Sequence, residues 1–304
     1  MDAGDPRITR FPLAPHSGAW MIAAGPDGNL WFTERGDTTF AVARIARITL
    51  TGEITEFSLP TSSQPWWITA GPDDAMWFTD YGAQMIGRIA LDGTIQEFPL
   101  PTANARPVGI TLGNDGNLWF TEDTSTTNAN PMGNVASITL AGDVTEFPVG
   151  TTPSEIAAGP DGNIWYVAWY HTAIGRLTPT GQATEFPLPQ SSFPHGLAAG
   201  PDGALWVTEA TGVGRLSIDG AHMAFAVPAS AVSEFGEIVA GNDGALWFAS
   251  DGGGTVGRVT TDGTVSVVPL DDGSISPVTG IAVAADGSVW LTDGWNDLIV
   301  RFRP

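Results

Sequence analysis

The 304-residue sequence predicts an all-β protein, a seven-bladed β-propeller with four antiparallel strands per blade. Three observations carry that prediction. Seven tryptophans (Trp31, Trp77, Trp119, Trp165, Trp206, Trp247 and Trp290) recur 41–46 residues apart in one local context. The 38 glycines and 23 prolines make a turn-rich chain, and no 3.6-residue or heptad pattern competes with strands. The two ends complement each other: the last repeat has three strand-like segments, and Arg7–Leu13, RITRFPL, matches the missing fourth. A fixed period of this length marks a radial repeat, in which a sheet that cannot bury both faces alone packs against its neighbours.

Each repeat has the same order. A turn such as GPDGNL or GNDGAL leads into the framework Trp, and a second strand follows, as in WFTE, WFTD or WVTE. A loop and an IGRI-like third strand come next, then a tight turn (LDGT, PTGQ, TDGT) and a fourth strand such as ITEFSLP or ATEFPLP. Asp-Gly turns supply the positive φ of tight hairpins, and the strands alternate with β-branched and aromatic residues. The repeat covers the chain, so a single domain over 1–304 is expected.

Charge follows the same repeat. The chain has 33 acidic and 12 basic residues, a net charge of −21, and every basic residue is arginine. An acid stands in the first turn of each blade: Asp27, Asp73 or Asp74, Asp115, Asp161, Asp202, Asp243 and Asp286. Arg47, Arg88, Arg176, Arg215, Arg258 and Arg301 occupy the IGR slot. Both sets read as scaffold. Such an acidic surface repels polyanions, so nucleic acid is excluded as a partner. No apolar run is long enough to cross a membrane as a helix, and membrane partners are not expected. With no cysteine there is no disulfide, thiolate metal site or cysteine nucleophile. This composition, with no leader in the first residues, fits the cytoplasm; a secreted protein that has lost its leader would look the same.

Function is expected where the repeat breaks. In an antiparallel blade the start of the first strand, the end of the second and the loop after it share one rim, around the central axis. The first-strand position there runs Trp20, Trp66, Val108, Ser154, His195, Gly236 and Thr279, with no repetition. The five tryptophans outside the framework, Trp20, Trp66, Trp67, Trp169 and Trp295, all fall at this rim, with Tyr81 and Tyr170. Two readings stand: the aromatics plug the channel, or they line a pocket for a bulky, largely apolar small molecule. His195 and His171 are candidate bases or acids there, and Glu155, Glu234, Glu237 and Asp251 are the carboxylates of the same rim. His195 is equally read as a satisfied polar residue. Acids three residues past the framework Trp (Glu34, Asp80, Glu122, Glu209, Asp293) recur and are expected to be structural, while His222 is expected at the outer surface. The loops ERGDTTFAVAR and EDTSTTNANPMGNVAS are long enough to act as lids.

The segments ITAGPDDAMWFTDYGAQMIGRIALDGTIQEFPLPTANARPVGITLGNDGNLWFTE (68–122) and FPHGLAAGPDGALWVTEA resemble the virginiamycin B lyase (streptogramin B lyase) family, and the resemblance covers essentially the whole chain. It implies a monomeric seven-bladed propeller that opens a cyclic depsipeptide by elimination with Mg²⁺. A base removes a proton beside a carbonyl and the ester oxygen leaves. Matched by position, His195 stands for the family's first histidine, Glu234 for its glutamate and Asp251 for a later acid, so Glu234 and Asp251 are the implied metal ligands. Gly236 stands where the family has a second histidine, and Glu237 or His171 could substitute for it. A non-catalytic binding propeller is the alternative. A lactonase-type propeller, which needs several oxygen ligands around an axial calcium, ranks behind both.

Overall fold

The computed structural model describes residues 5–36, 42–125, 132–227, 235–250, 254–270 and 278–304. Among them, 28 strands form seven four-stranded antiparallel sheets arranged as a seven-bladed propeller. Six sheets use four strands consecutive in the chain. The seventh combines Gly280–Val283, Val289–Asp293 and Leu298–Phe302 with the N-terminal strand Ile8–Pro12. Ile8 pairs with Phe302 and Pro12 with Leu298, and Phe11 stacks on Trp290 at 5.3 Å between ring centroids. The N-terminal strand thus gives the last blade its outer strand, and the aromatic lid on its framework indole that blades 1–5 carry internally.

The core is divided among the blade interfaces. Between blades 1 and 2, for example, Trp31, Ile45 and Leu59 pack against Ile68, Met76 and Phe78. Equivalent clusters fill the other interfaces. Five framework tryptophans are fully buried, and burying one indole contributes about 4–6 kcal/mol by area as an upper value. The indole N–H still needs an acceptor, and the turn aspartate supplies it. Trp77 Nε1 donates to Asp73 Oδ1 at 3.0 Å, and Arg88 Nε donates to the other oxygen at 2.6 Å. Asp27, Asp115, Asp161 and Asp202 bind their indoles in the same way. In blade 2 the acid of the triad is therefore Asp73, not Asp74. Burial opposes ionisation of Asp73, but the bonds from Trp77 and Arg88 outweigh it and hold its pKa below the ordinary value. The preceding glycine is obligatory, because a Cβ on Gly71 would lie 2.5 Å from the Trp77 ring. Blade 7 has Ala284 at this place, and there Trp290 Nε1 donates to Ser288 Oγ instead.

A second device joins blade to blade. Thr121 Oγ1 accepts from Gly109 N–H of its own blade at 2.9 Å and donates to Ser154 O of the next at 2.6 Å. Thr33 and Thr79 do the same toward Trp66 O and Val108 O, and Thr292 toward Trp20 O, which closes the ring. Thr208 donates to Gly236 O. Blades 4 and 6 carry Val167 and Ala249 at this position.

Replacing Thr121 with Val keeps shape but leaves the buried Gly109 N–H without an acceptor. A loss of about 1–3 kcal/mol is expected in a denaturant titration. A loss below about 0.5 kcal/mol would show that this threonine joins nothing.

Candidate functional site

A bulge in the first strand builds the rim. Pairing with the second strand slips between Ala19 and Ile22, Pro65 and Ile68, and Pro153 and Ile156, and likewise in blades 3 and 6. Such a slip re-aims the two residues inside it. In blades 1 and 2 the first of the pair, Trp20 or Trp66, joins the aromatic group at the mouth. The second, Met21 or Trp67, lines a central channel of about 450 Å³ together with Glu237. Trp67 therefore sits in the channel wall, one step below the other extra tryptophans.

Two aromatic groups face each other at the mouth. Trp20 and Trp66 lie 6.1 Å apart with planes tilted 50°, and Trp66 stacks on Tyr81 at 4.8 Å. The Arg35 guanidinium lies 4.4 Å from the Trp20 ring and 4.5 Å from the Trp66 ring, and Arg106 lies 5.5 Å from Tyr81. In blades 4 and 5, the exposed Trp169 meets His195 edge-on at 4.7 Å. Tyr170 is exposed beside it, and Trp295 of blade 7 is 75% exposed. His16, Trp20, Arg35, Trp295 and Asp297 line a pocket of about 350 Å³ at this rim. Arg35 is the residue the repeat analysis passed over. Its signal was an arginine outside the IGR slot, directly after the second strand of a blade with an aromatic first-strand start.

His195 lies just before the first strand of blade 5, Leu197–Ala199. Its N–H donates to Thr208 O at 2.9 Å, and Thr208 N–H donates to Gly196 O, so the ladder holds its backbone. Its ring is half-buried. His171 stands apart: its Nδ1 lies 3.0 Å from Glu185 Oε2 on the outermost strand of blade 4. His222 departs from its expected surface place. It is half-buried, with Nε2 2.6 Å from Glu209 Oε1, because the second-strand acid of blade 5 reaches outward past Gly214.

The recurring second-strand acids are buried. Asp80 accepts backbone N–H bonds from Gln64 and Ala83, and Glu122 accepts from Asn134. Burial first, then repulsion from Glu56, raises Glu34 to about 7 against the pull of Arg44. Burial raises Glu122 to about 7, with Asn134 opposing and Glu146 adding. In the channel, Glu155 accepts from Ser154 Oγ, and burial still raises it to about 7. Glu237 is pushed well above the ordinary carboxylate value by burial and then by Glu155. Both side chains are half-buried. Glu155 and Glu237 thus form a pair of neighbouring carboxyls, each pushed above its ordinary value.

Glu234 and Asp251, the candidate metal ligands, lie outside the described residues, as do the central parts of both long loops. Among the described residues no group of three or more His, Asp and Glu side chains is placed to hold a metal ion. The described side chains alone therefore do not make a Mg²⁺ site.

These carboxyls set the pH response. Glu34, Glu122 and Glu155 are protonated in both states below about 4.5 and ionised in both above about 7. Between those values the folded chain holds protons that the unfolded chain lacks, so stability falls as pH rises, by up to about 3 kcal/mol per carboxyl. The turn aspartates act oppositely: their contribution is lost as pH falls through their lowered folded values. Thermal unfolding is expected at a higher temperature at pH 5 than at pH 8. Glu122→Gln should raise the midpoint at pH 8 and leave it little changed at pH 5; an equal midpoint at both pH values in the parent chain would contradict the assignment.

Comparison with known proteins agrees with this geometry. The virginiamycin B lyase family model matches residues 3–152 and 126–304. A solved streptogramin B lyase superposes with a TM-score of 0.86 at 30% identity, covering 97% of each chain. A catalytically inactive histidine-to-alanine variant of virginiamycin B lyase from Staphylococcus aureus, solved with quinupristin, gives 0.85 at 31% identity over 98% of this chain and 99% of that one. Among curated proteins, a virginiamycin B lyase from Bordetella pertussis is 45% identical over 53 residues, a stretch covering 16% of this chain and 17% of that relative. The chain belongs to the virginiamycin B lyase family.

Proposed function

We propose that this chain, acting as a monomer, binds a bulky, largely apolar cyclic small molecule of depsipeptide or polyketide type across the rim. It opens or rearranges the ring by base-assisted elimination, with His195 moving the proton. The observation that carries this reading is the half-buried His195 imidazole set edge-on against the exposed Trp169, at a mouth ringed by Trp20, Trp66, Tyr81, Tyr170 and Trp295. The edge-on Trp169 contact orients the imidazole ring, and a histidine held in this way is the residue type suited to take a proton. In the elimination, His195 takes a proton from the carbon beside a carbonyl, and that C–H electron pair becomes a C=C bond. The neighbouring C–O bond breaks and its electron pair leaves on the ester oxygen as a carboxylate. Nothing is added, so the product is linear with unchanged mass. The proton-holding Glu237 is the described acid next to Gly236 and suits the return of a proton. Glu234 and Asp251 are the proposed ligands of a Mg²⁺ ion, and the steps above use neither. The relative solved with quinupristin supports a ligand of this size.

Incubation with a streptogramin B, followed by mass spectrometry and chromatography, should give a linear isomer of the cyclic compound. His195→Ala should reduce turnover by more than about tenfold. Unchanged kinetics would remove His195 from the chemistry.

Gly236 favours a second reading, a propeller that binds without turning over. A Cβ there would lie 3.1 Å from Val278 O and 3.4 Å from Ala249 Cβ, so a side chain fits after small shifts of its neighbours. On this reading the parent chain binds the antibiotic without product, and Gly236→His gains turnover. Product formation by the parent chain would exclude it.

A further inference from the structure

Arg35 sits at the rim in a way that no other arginine does. The distances from its Cζ to the Trp20 and Trp66 ring centres, 4.4 and 4.5 Å, and the 6.1 Å between those centres make a nearly right-angled triangle. The indoles therefore flank the guanidinium on two adjacent sides, and the remaining side faces the pocket that Arg35 lines with Trp295 and Asp297. Several other guanidinium groups are matched to acids: Arg88 to Asp73, Arg215 to Asp202, Arg258 to Asp243, Arg47 to Asp27 and Arg44 to Glu34 and Glu56. Arg35 has no carboxylate partner among the described residues. Burial depresses its pKa, opposed by the Tyr81 phenol.

The acid that lines the pocket is already engaged. Asp297 accepts from the backbone N–H groups of His16 at 2.7 Å and Gly18 at 3.2 Å, and from Ser17 Oγ at 3.0 Å. Those three donors hold it on the segment entering blade 1. A second, independent sign comes from the flanking indoles. Trp20 Nε1 and Trp66 Nε1 are buried and have no acceptor among the described residues. This corner of the rim therefore holds unmatched donors beside aromatic faces, in a chain of net charge −21.

We propose that the pocket bounded by Trp20, Arg35 and Trp295 binds the carboxylate of an aromatic acid, with the Arg35 guanidinium receiving the anion and the indoles receiving the ring. A guanidinium offers a planar fork of N–H donors that matches a carboxylate two oxygens at a time, and cation–π contacts on two sides hold the fork without neutralising it. Trp20 and the exposed Trp295 supply the apolar walls. This deepens the small-molecule reading above and rests on it only in taking this rim as the ligand mouth; it does not need His195 chemistry.

The probes are 2-naphthoate, its neutral isostere 2-naphthamide, and 2-naphthylmethylammonium, titrated calorimetrically and by tryptophan fluorescence at low and high salt. The parent chain should bind naphthoate about tenfold more tightly than naphthamide, and the ammonium weakest. High salt should narrow the gap. Arg35→Gln should bring naphthoate and naphthamide within about twofold, with Arg35→Lys between. Trp295→Ala should weaken both probes together and leave their ratio unchanged. Midpoints of thermal unfolding check that each variant is folded. His195→Ala should keep the full anion preference whether or not it loses turnover, so the fate of this proposal separates from that of the elimination. Equal affinity for naphthoate and naphthamide in the parent chain would overturn the proposal, as would a preference that survives in Arg35→Gln. So would no binding of any probe up to about 10 mM.

Discussion

The whole molecule depends on burying one indole per blade without stranding its N–H. A four-stranded sheet has two apolar faces and no means of covering them alone. The framework Trp covers one interface, but its ring brings a donor into a region from which water is excluded, and an unmatched donor there costs about 1–3 kcal/mol. The first-turn aspartate answers that need, and the third-strand arginine then keeps the aspartate ionised against its own burial. One local triad thus links a tight turn, a core residue and a charge. Much of the chain's acidity and five of its 12 basic residues are placed by that arrangement before any function is considered. The acid–arginine pairing is a scaffold property, which is why an arginine outside it, such as Arg35, carries information.

This dependence explains what the sequence showed. Trp spacing, Asp-containing turns and the IGR slot recur in nearly every blade, so repetition made the fold legible and even the closing strand, RITRFPL, could be placed. The rim was legible by contrast, as the positions where repetition stops. Depth was not. Trp66 and Trp67 are adjacent, and only the bulge between Pro65 and Ile68 sends one to the mouth and the other into the channel. His222 was hidden because its fourth-strand place reads as surface, whereas the buried Glu209 reaches toward it, as Glu34 reaches toward Arg44 and Glu122 toward Asn134. Glu234 and Asp251 lie outside the described residues, so the expectation placed on them rests on the family alone.

The two blades that lack the joining threonine are the two that place a glutamate in the channel. Blade 4 has Val167 with Glu155, and blade 6 has Ala249 with Glu237. In the other blades with a bulge, the threonine oxygen takes the N–H of the residue at the glutamate's position and ties the strand to its neighbour. Blades 4 and 6 give up that bond and gain a carboxyl that burial pushes above its ordinary value. Blade 5, with His195, lies between them, and Gly196 lets the strand of blade 6 approach: a Cβ there would meet Glu237 Cα at 2.8 Å. The scaffold is therefore relaxed on both sides of the blade that carries the candidate base. Relaxation confined to that sector fits a site under a different demand from the rest of the ring.

Electrostatics ties the two sides of the mouth together. A net charge of −21 repels anions at long range, but at physiological ionic strength that field decays over about 8 Å. Inside the mouth the nearest charge governs, and beside Trp20 and Trp66 that charge is a guanidinium without a carboxylate partner among the described residues. Such a surface discriminates by size and charge density. A polyanion spans many Debye lengths and meets the global repulsion, whereas a compact aromatic monoanion can shed water against indoles and meet a single local cation. The same combination sets a limit on affinity, since Arg35 stacked on two rings is already partly satisfied and a carboxylate gains only the remaining in-plane donors. Weak, reversible capture of an anionic group at one edge of the mouth, opposite His195 at the other, would orient a large ring without holding an opened product.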